Sequence, residues 1–344
     1  MATVLNYPLV KGKTVTTDEA LKKAKQLVIS SKSIHIDGLA CDNNGLKSIF
    51  KFAEKYNASV DHMDGQKNAD LNDTIQRYGG FFSSFGEIYH RCELILFIGF
   101  KKSLPDEFKH LKKGLKRPKI IFFDGKFKVN NREICLDIKK NKIVEIIKQT
   151  TDSLNQKKQS KEFVVKEIIK FINTSNYTTI IYSSLNDKEL TTEIFRLVRN
   201  LNDGNIKTSI LPYNGSNNLS GAVQYSLWKT GYPLRIQFTE NGPVYNPIEI
   251  NSENLSKKKE LQIFISCFDF KSKPNMFRKN IFIGNPNQLK KKDFDIFLPT
   301  KIPGINKSGI VHRGDGIGIK KLKKISDSKN LSVEDIINLI SWYA

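Results

Sequence analysis

The sequence predicts an α/β protein made of two Rossmann-like doubly wound units. Three observations carry this expectation. Short β-branched and aromatic runs alternate with amphipathic stretches along the chain. Two of those runs, LILFIGF at 94–100 and KIIFFD at 119–124, are almost continuously apolar, as strands covered on both faces of a parallel sheet are. The alternation pauses in a polar helical stretch near the middle and then restarts, so a second strand–helix–strand unit follows the first.

Taken in order, SIHIDGL at 33–39 reads as a strand ending in a turn. The stretch 43–56 reads as a helix, with Leu46, Ile49, Phe50 and Ala53 at helical spacing. A short strand at 58–62, a weaker helix at 71–78 and the two apolar strands complete the first half. The stretch 141–173 has helical period, is rich in Lys and Gln, and breaks at 152–161, which predicts two helices linking the halves. Beyond it come a strand at 178–182, a helix at 188–201, a strand at 207–211 and a helix at 220–230. Strands at 261–268, 281–283 and 295–298 follow, then a closing helix at 332–342. Ser332 is its expected N-cap, with Asp335 at N3 in place of the Glu or Gln of a capping box. The domain expectation is 1–150 for a first α/β domain with an N-terminal extension. Residues 151–344 form the second, carrying the TGYP and PTKIPGI segments.

Composition narrows the function classes. The chain has 344 residues, 39% of them hydrophobic, enough for two cores. No run approaches the roughly 18 uncharged apolar residues of a membrane span, and the first residues lack an apolar signal-peptide region, so a cytoplasmic location is expected. The net charge is +21. Clustered Lys and Arg would point to nucleic acid. Here 47 of the 56 basic residues are Lys, spread over the whole length, and Arg, the residue suited to bidentate phosphate contacts, is scarce. The densest runs, 101–102, 109–119, 257–259 and 290–292, fall between apolar runs. The charge suits acidic partners or ligands, and no nucleic-acid partner is expected.

Cys41, Cys92, Cys135 and Cys267 are the only cysteines, and no two lie within 40 residues of each other. Zinc-ribbon and iron–sulfur spacings are therefore absent. Cys41, beside a strand end, is the one candidate reactive thiol. The sequence has no GxGxxG after a strand, no Walker A, no GxSxG and no HExxH; the glycines at 314–318 read as a turn. Asp61-His62-Met63-Asp64 follows a strand, where α/β proteins place ligands; it is either an acid/base or metal site or a hydrogen-bonded loop. His312, Arg313 and Asp315 carry the same alternatives. Two turn-rich segments beside strands stand out as binding-surface candidates. One is Trp228 to Pro233 with Tyr245-Asn246-Pro247; the other is Pro299 to Ile305 with Arg313 to Gly316.

Those segments, in order and spacing, resemble the B subunit of formylmethanofuran dehydrogenase. That family has a WxTGYP segment followed by YNP, then a PTxIPGI-like stretch and an R-x-D-G turn. Gly38-Leu39-Ala40, Ala53-Glu54, Val60-Asp61 and Gly86-Glu87 fit its N-terminal half, so the resemblance covers roughly 30–340. It implies the fold of the central domains of molybdopterin oxidoreductases. It also implies cofactors that this sequence does not match. The family opens with a Cys-rich segment for a [4Fe–4S] cluster, whereas 1–32 here contain no cysteine. The family's Cys-His pair, whose Cys ligates molybdenum or tungsten, falls at Lys67-Asn68, and an ammonium and an amide cannot replace a thiolate. The family's basic residue between GYP and YNP is replaced by Glu240-Asn241.

This pattern resembles the cofactor-less B subunit of the bacterial formyltransferase/hydrolase complex. The resemblance implies a non-catalytic structural subunit, with loss of the Mo/W-pterin and the cluster. The implied partners are an amidohydrolase-like A subunit, a β-helical C subunit and a formyltransferase D subunit, converting formyl-tetrahydromethanopterin to formate through a methanofuran-type carrier. A polyglutamylated carrier would suit the Lys excess. Lys67 and Asn68 are the expected degenerate ligand positions. Asp61, His62, Gly231, Tyr232, Arg313 and Asp315 are the expected residues of the old cleft. The competing readings are an active Mo/W formylmethanofuran dehydrogenase component and a basic nucleic-acid-binding α/β protein.

Overall fold

The computed structural model describes residues 7–100, 104–123, 127, 129–136, 138–155, 160–183, 187–213, 217–268, 275–285 and 294–341. The basic runs at 101–102 and 290–292, Asp124 and Trp342 lie outside the described residues. The chain divides into two compact units. One joins Met1–Gln66 to Gly215–Ala344; the other is Lys67–Asn214.

In the discontinuous unit a nine-stranded sheet has a parallel centre. Its central order is Ser59–Val60, Ile34–Ala40, Leu261–Ser266, Lys279–Gly284 and Ile296–Pro299. Antiparallel hairpins extend both edges: Ile236–Thr239 with Gly242–Tyr245 beside Ser59–Val60, and Leu9–Val10 with Lys13–Thr14 beside Ile296–Pro299. The chain leaves Ile34–Ala40 toward Ser59–Val60 and returns on the opposite side as Leu261–Ser266. The strand order therefore reverses between these two strands, and open α/β sheets bind ligands beyond the strand carboxyl ends at such a point.

Side-chain alternation splits this sheet's faces. Ile34, Ile36, Ile263 and Ile265 face a core shared with helices Thr17–Ser30, Asn43–Lys55, Leu219–Thr230 and Val333–Ser341. Phe264, Phe282 and Phe297 form a separate buried cluster, and His35 and Asp37 alternate with the isoleucines that face the helices. Two of these helices begin where a side chain satisfies their first amides: Thr16 Oγ1 accepts from Glu19 N, and Asp42 Oδ1 from Gly45 N.

The continuous unit has five parallel strands ordered Glu133–Cys135, Lys119–Phe122, Leu94–Ile98, Thr178–Tyr182 and Thr208–Pro212. Helices Ile143–Leu154, Phe163–Asn173 and Lys188–Asp203 bury their apolar stripes against one face, and Phe85–Arg91 packs on the other.

Two doubly wound units are therefore present, as expected, but the 150/151 boundary is not where the chain divides. Thr178–Tyr182 pairs with Leu94–Ile98, and Leu261–Ser266 with Ile34–Ala40. Local periodicity reveals strands, yet parallel neighbours are joined by long crossovers, so the second unit is inserted into the first without a local signal. The helix Gly65–Tyr78 starts earlier than expected, and Thr17–Ser30, Phe85–Arg91 and the hairpins add to the elements the periodicity gave.

Candidate functional site

A cavity of about 480 Å³ opens in the discontinuous unit, lined among others by Asp37, Asp61, His62, Gln66, Arg235 and Ser252. Its lining residue Asp37 comes just before a bend in the strand. Gly38 sits at φ +87°, and a Cβ there would meet Ile265 O at 2.4 Å. Only glycine accepts both that conformation and that approach. The pairing register with Leu261–Ser266 shifts at the same place.

At the centre is the buried pair Arg235–Asp61, Nε to Oδ2 at 3.3 Å. Arg235 Nη1 donates to Pro247 O at 2.6 Å and Nη2 to Gln66 Oε1 at 3.2 Å. Asp61 Oδ1 accepts from its neighbour's amide, His62 N, at 2.8 Å. Burial, which outweighs the Arg235 guanidinium, pushes the Asp61 carboxyl up to about 8.

The turn motifs explain how Arg235 arrives there. Gly231, at φ +79°, ends the helix Leu219–Thr230, its N–H donating to Leu227 O. Ser226 Oγ donates to Tyr232 O and accepts from Leu234 N. Leu234 and Arg235 both have positive φ, a conformation costly for side chains of their size and common where a site is being shaped. Tyr232 stacks on Tyr245, centroids 5.5 Å apart and rings 4° from parallel. Asn246 N donates to Arg235 O, so the GYP and YNP segments together clamp the arginine. Glu240-Asn241, expected in place of a basic residue, form the hairpin turn between Thr239 and Gly242. Sequence reasoning missed Arg235, because one arginine beside a strand carries no periodic signal.

A second polar chain adjoins the pair. Ser252 Oγ donates to Asp37 Oδ2. His35 Nε2 lies 3.1 Å from Ser252 Oγ, and its Nδ1 lies 2.9 Å from Ser59 Oγ. In one orientation Ser59 donates to Nδ1 in place of its 3.3 Å bond to Ile34 O, Nε2–H donates to Ser252, and Ser252 donates to Asp37. The imidazole is then neutral, in keeping with burial that lowers its pKa to about 4 despite the nearby Asp37. Stacking on Phe277 at 5.5 Å fixes the ring. His35, Asp37 and Ser252 were not singled out in the sequence.

The expected site residues are only partly brought together. Asp61 and His62 line the cavity. His62 Nδ1 accepts from Asp64 N at 3.0 Å and Nε2 donates to Asn217 O at 3.2 Å, so its ring ties loops together. Gly231 and Tyr232 act through Arg235. Arg313 and Asp315 are not among the cavity's lining residues. They close a hairpin turn between Gly309–His312 and Ile319–Leu322, Arg313 Nε to Asp315 Oδ1 at 3.1 Å, so the turn reading of 314–318 holds. That turn is tied back to the sheet: Asn218 Oδ1 accepts from His312 N and Asn218 Nδ2 donates to Cys41 O. Lys307, two residues after the PTKIPGI segment, pairs with Asp42 at 3.2 Å. Lys67, half-buried, and Asn68, buried, lie in the first turn of the helix Gly65–Tyr78.

Burial raises the pKa of Cys41 and Cys267, so Cys41 is not activated as a nucleophile. Cys92, likewise buried, is pushed up to about 11. Among the described residues no group of three or more His, Cys, Asp or Glu could hold a metal ion. No described helix is long and apolar enough to cross a membrane.

The chain matches no protein-family model. It is 28% identical over 129 residues to the B subunit of the tungsten-containing formylmethanofuran dehydrogenase 2 of Methanocaldococcus jannaschii, covering 35% of this chain and 29% of that protein. The Methanococcus maripaludis protein of the same name is 28% identical over 143 residues, covering 39% and 33%. These matches span about a third of the length of the curated relatives. In fold, the chain superposes on a chain of the formyltransferase/hydrolase complex FhcABCD of Methylorubrum extorquens, solved with methylofuran, at a TM-score of 0.83. That match has 16% identity over 97% of both chains. Acetylene hydratase of Pelobacter acetylenicus matches at a TM-score of 0.60 and 13% identity, over 98% of this chain and 61% of the hydratase. The chain is thus similar in part of its sequence to the formylmethanofuran dehydrogenase B subunit, and its fold along nearly its whole length is that of a chain from the formyltransferase/hydrolase complex.

Proposed function

We propose that the chain is a B-type structural subunit of a formyltransferase/hydrolase assembly, without redox chemistry of its own. The observation that carries this reading is the near-complete, two-way coverage of the fold match to a chain of that complex, which is tighter than the match to the hydratase. The chemistry of the chain supports the same reading. Lys67-Asn68 offers an ammonium and an amide where the dehydrogenase family carries a thiolate. The cavity, with Arg235 and Asp61 satisfying each other, serves to lock the motif loops in place.

In this reading the partners are an amidohydrolase-like, a β-helical and a formyltransferase subunit. The assembly converts formyl-tetrahydromethanopterin to formate through a methanofuran-type carrier, whose acidic tail would meet a chain of net charge +21. The location is cytoplasmic. Purification of the tagged chain from its native host tests this. Stoichiometric recovery of those three subunits, with formyl-transfer activity, is the expected result. Recovery of a lone monomer contradicts it.

A further inference from the structure

Five of the nineteen exposed large apolar side chains among the described residues lie between 305 and 325: Ile305, Ile310, Ile317, Ile319 and Ile325. Their placement is set by the hairpin Gly309–His312/Ile319–Leu322. Gly309 pairs with Leu322, Ile310 with Lys321, Val311 with Lys320 and His312 with Ile319. Alternation puts Gly309, Val311, Lys320 and Leu322 on one face, with Lys320 exposed near the turn. That face meets the body of the unit, since a Cβ on Gly309 would touch Asp42 and Pro303, and one on Gly304 would touch Leu322. The opposite face presents Ile310, His312, Ile319 and Lys321. Ile317 stands in the turn at 67% exposure. Ile325, at 81%, donates its amide to Ile305 O at 2.9 Å, so these two extend the apolar surface at the hairpin's base.

A two-stranded hairpin is marginal in water by itself. This one is nevertheless held in one shape. The Arg313–Asp315 pair, the Arg313 N–H to Gly318 O bond at 2.8 Å and the Asn218–His312 contact fix its turn end. A rigid surface on which exposed apolar side chains cluster is the mark of an interface, and rigidity lowers the entropy lost on binding. The charge left over beside it is positive. Lys321 and Lys323 are exposed on the strand side that carries Ile319, and the carboxylates of the segment, Asp315 and Asp327, pair with Arg313 and Lys324.

The geometry points to this arm as the docking surface for a different protein subunit, one that presents an apolar patch rimmed by Asp and Glu. The inference rests on the reading of the chain as a subunit and names the surface that reading leaves open.

Hydrogen exchange on the full chain, alone and in the assembly purified from the native host, tests it. Amides 309–325 are expected to exchange at least about tenfold more slowly in the assembly. The double substitution Lys321→Glu/Lys323→Glu touches only exposed positions. It is expected to weaken the assembly about tenfold at physiological salt and much less at high salt, with the isolated chain's Tm unchanged. Unchanged exchange of 309–325 in an intact assembly overturns the docking surface while the subunit reading stands. Protection of the same amides in a homodimer of the isolated chain overturns the choice of partner. Failure to find any assembly overturns both.

Discussion

Arg235 holds Asp61 at 3.3 Å while donating to Pro247 O and Gln66 Oε1, so a single guanidinium joins the strand end after Ser59–Val60, the YNP turn and the start of the next helix. Removing the guanidinium leaves its buried acceptors without their donor, at about 1–3 kcal/mol. Arg235→Ala should therefore destabilise the chain by that order. Arg235→Lys should rescue little, because an ammonium cannot serve three acceptors in fork geometry. Urea unfolding of both variants checks this; a loss below about 1 kcal/mol for Arg235→Ala would show that the clamp is dispensable.

The same pair makes stability depend on pH. Asp61 titrates near 3.8 when unfolded and about 8 when folded, so between those values the folded state binds more protons. Stability from this group is therefore full at low pH and lost as pH rises toward 8. His35 works in the opposite direction, but mainly below its ordinary 6.5, because there the unfolded state binds the extra proton. Between pH 6.5 and 8 the histidine contribution fades and the Asp61 effect outweighs it. Unfolding free energy should fall across that window in the native chain, and Asp61→Asn should flatten it.

His35 should stay neutral well into acid. In NMR titrations its ring signals should hold until pH falls toward 4, whereas an exposed histidine shifts near 6.5. Ser252→Ala removes the hydroxyl between His35 and the Asp37 carboxylate and should change the ring's Nε2 shift. An unaffected shift would mean the hydrogen-bond chain is not formed in solution.

Gly38→Ala asks whether the strand bend is obligatory. A methyl at φ +87°, with Ile265 O at 2.4 Å, should cost roughly 2 kcal/mol or more. Gly231→Ala, also at positive φ but with open space around it, should cost about 1 kcal/mol. Thermal unfolding that ranks these two in reverse would contradict the close-approach argument.

How far the sequence foretold this structure depends on the range of each interaction. Thr178–Tyr182 appears at the bounds its five apolar and β-branched residues imply, because periodicity is local. The insertion of 67–214 was not legible, since Leu261–Ser266 finds Ile34–Ala40 across the whole intervening unit. The hairpin Ile236–Thr239/Gly242–Tyr245 had a usable signal in its Glu240-Asn241-Gly242 run between alternating residues. At the site, the GYP and YNP motifs were visible as unusual turns, but their cargo, Arg235, was not. Asp61 was legible by its place after a strand; the His35–Ser252–Asp37 chain was not, because Ser252 enters from a distant segment.

The claim that this is a subunit without a redox metal is tested most directly by elemental analysis of the assembly purified from its native host, with the chain quantified in the same sample. The account predicts molybdenum, tungsten and iron–sulfur iron far below one equivalent per copy of this chain. Stoichiometric molybdenum or tungsten that remains with this chain after the other subunits are removed would contradict it.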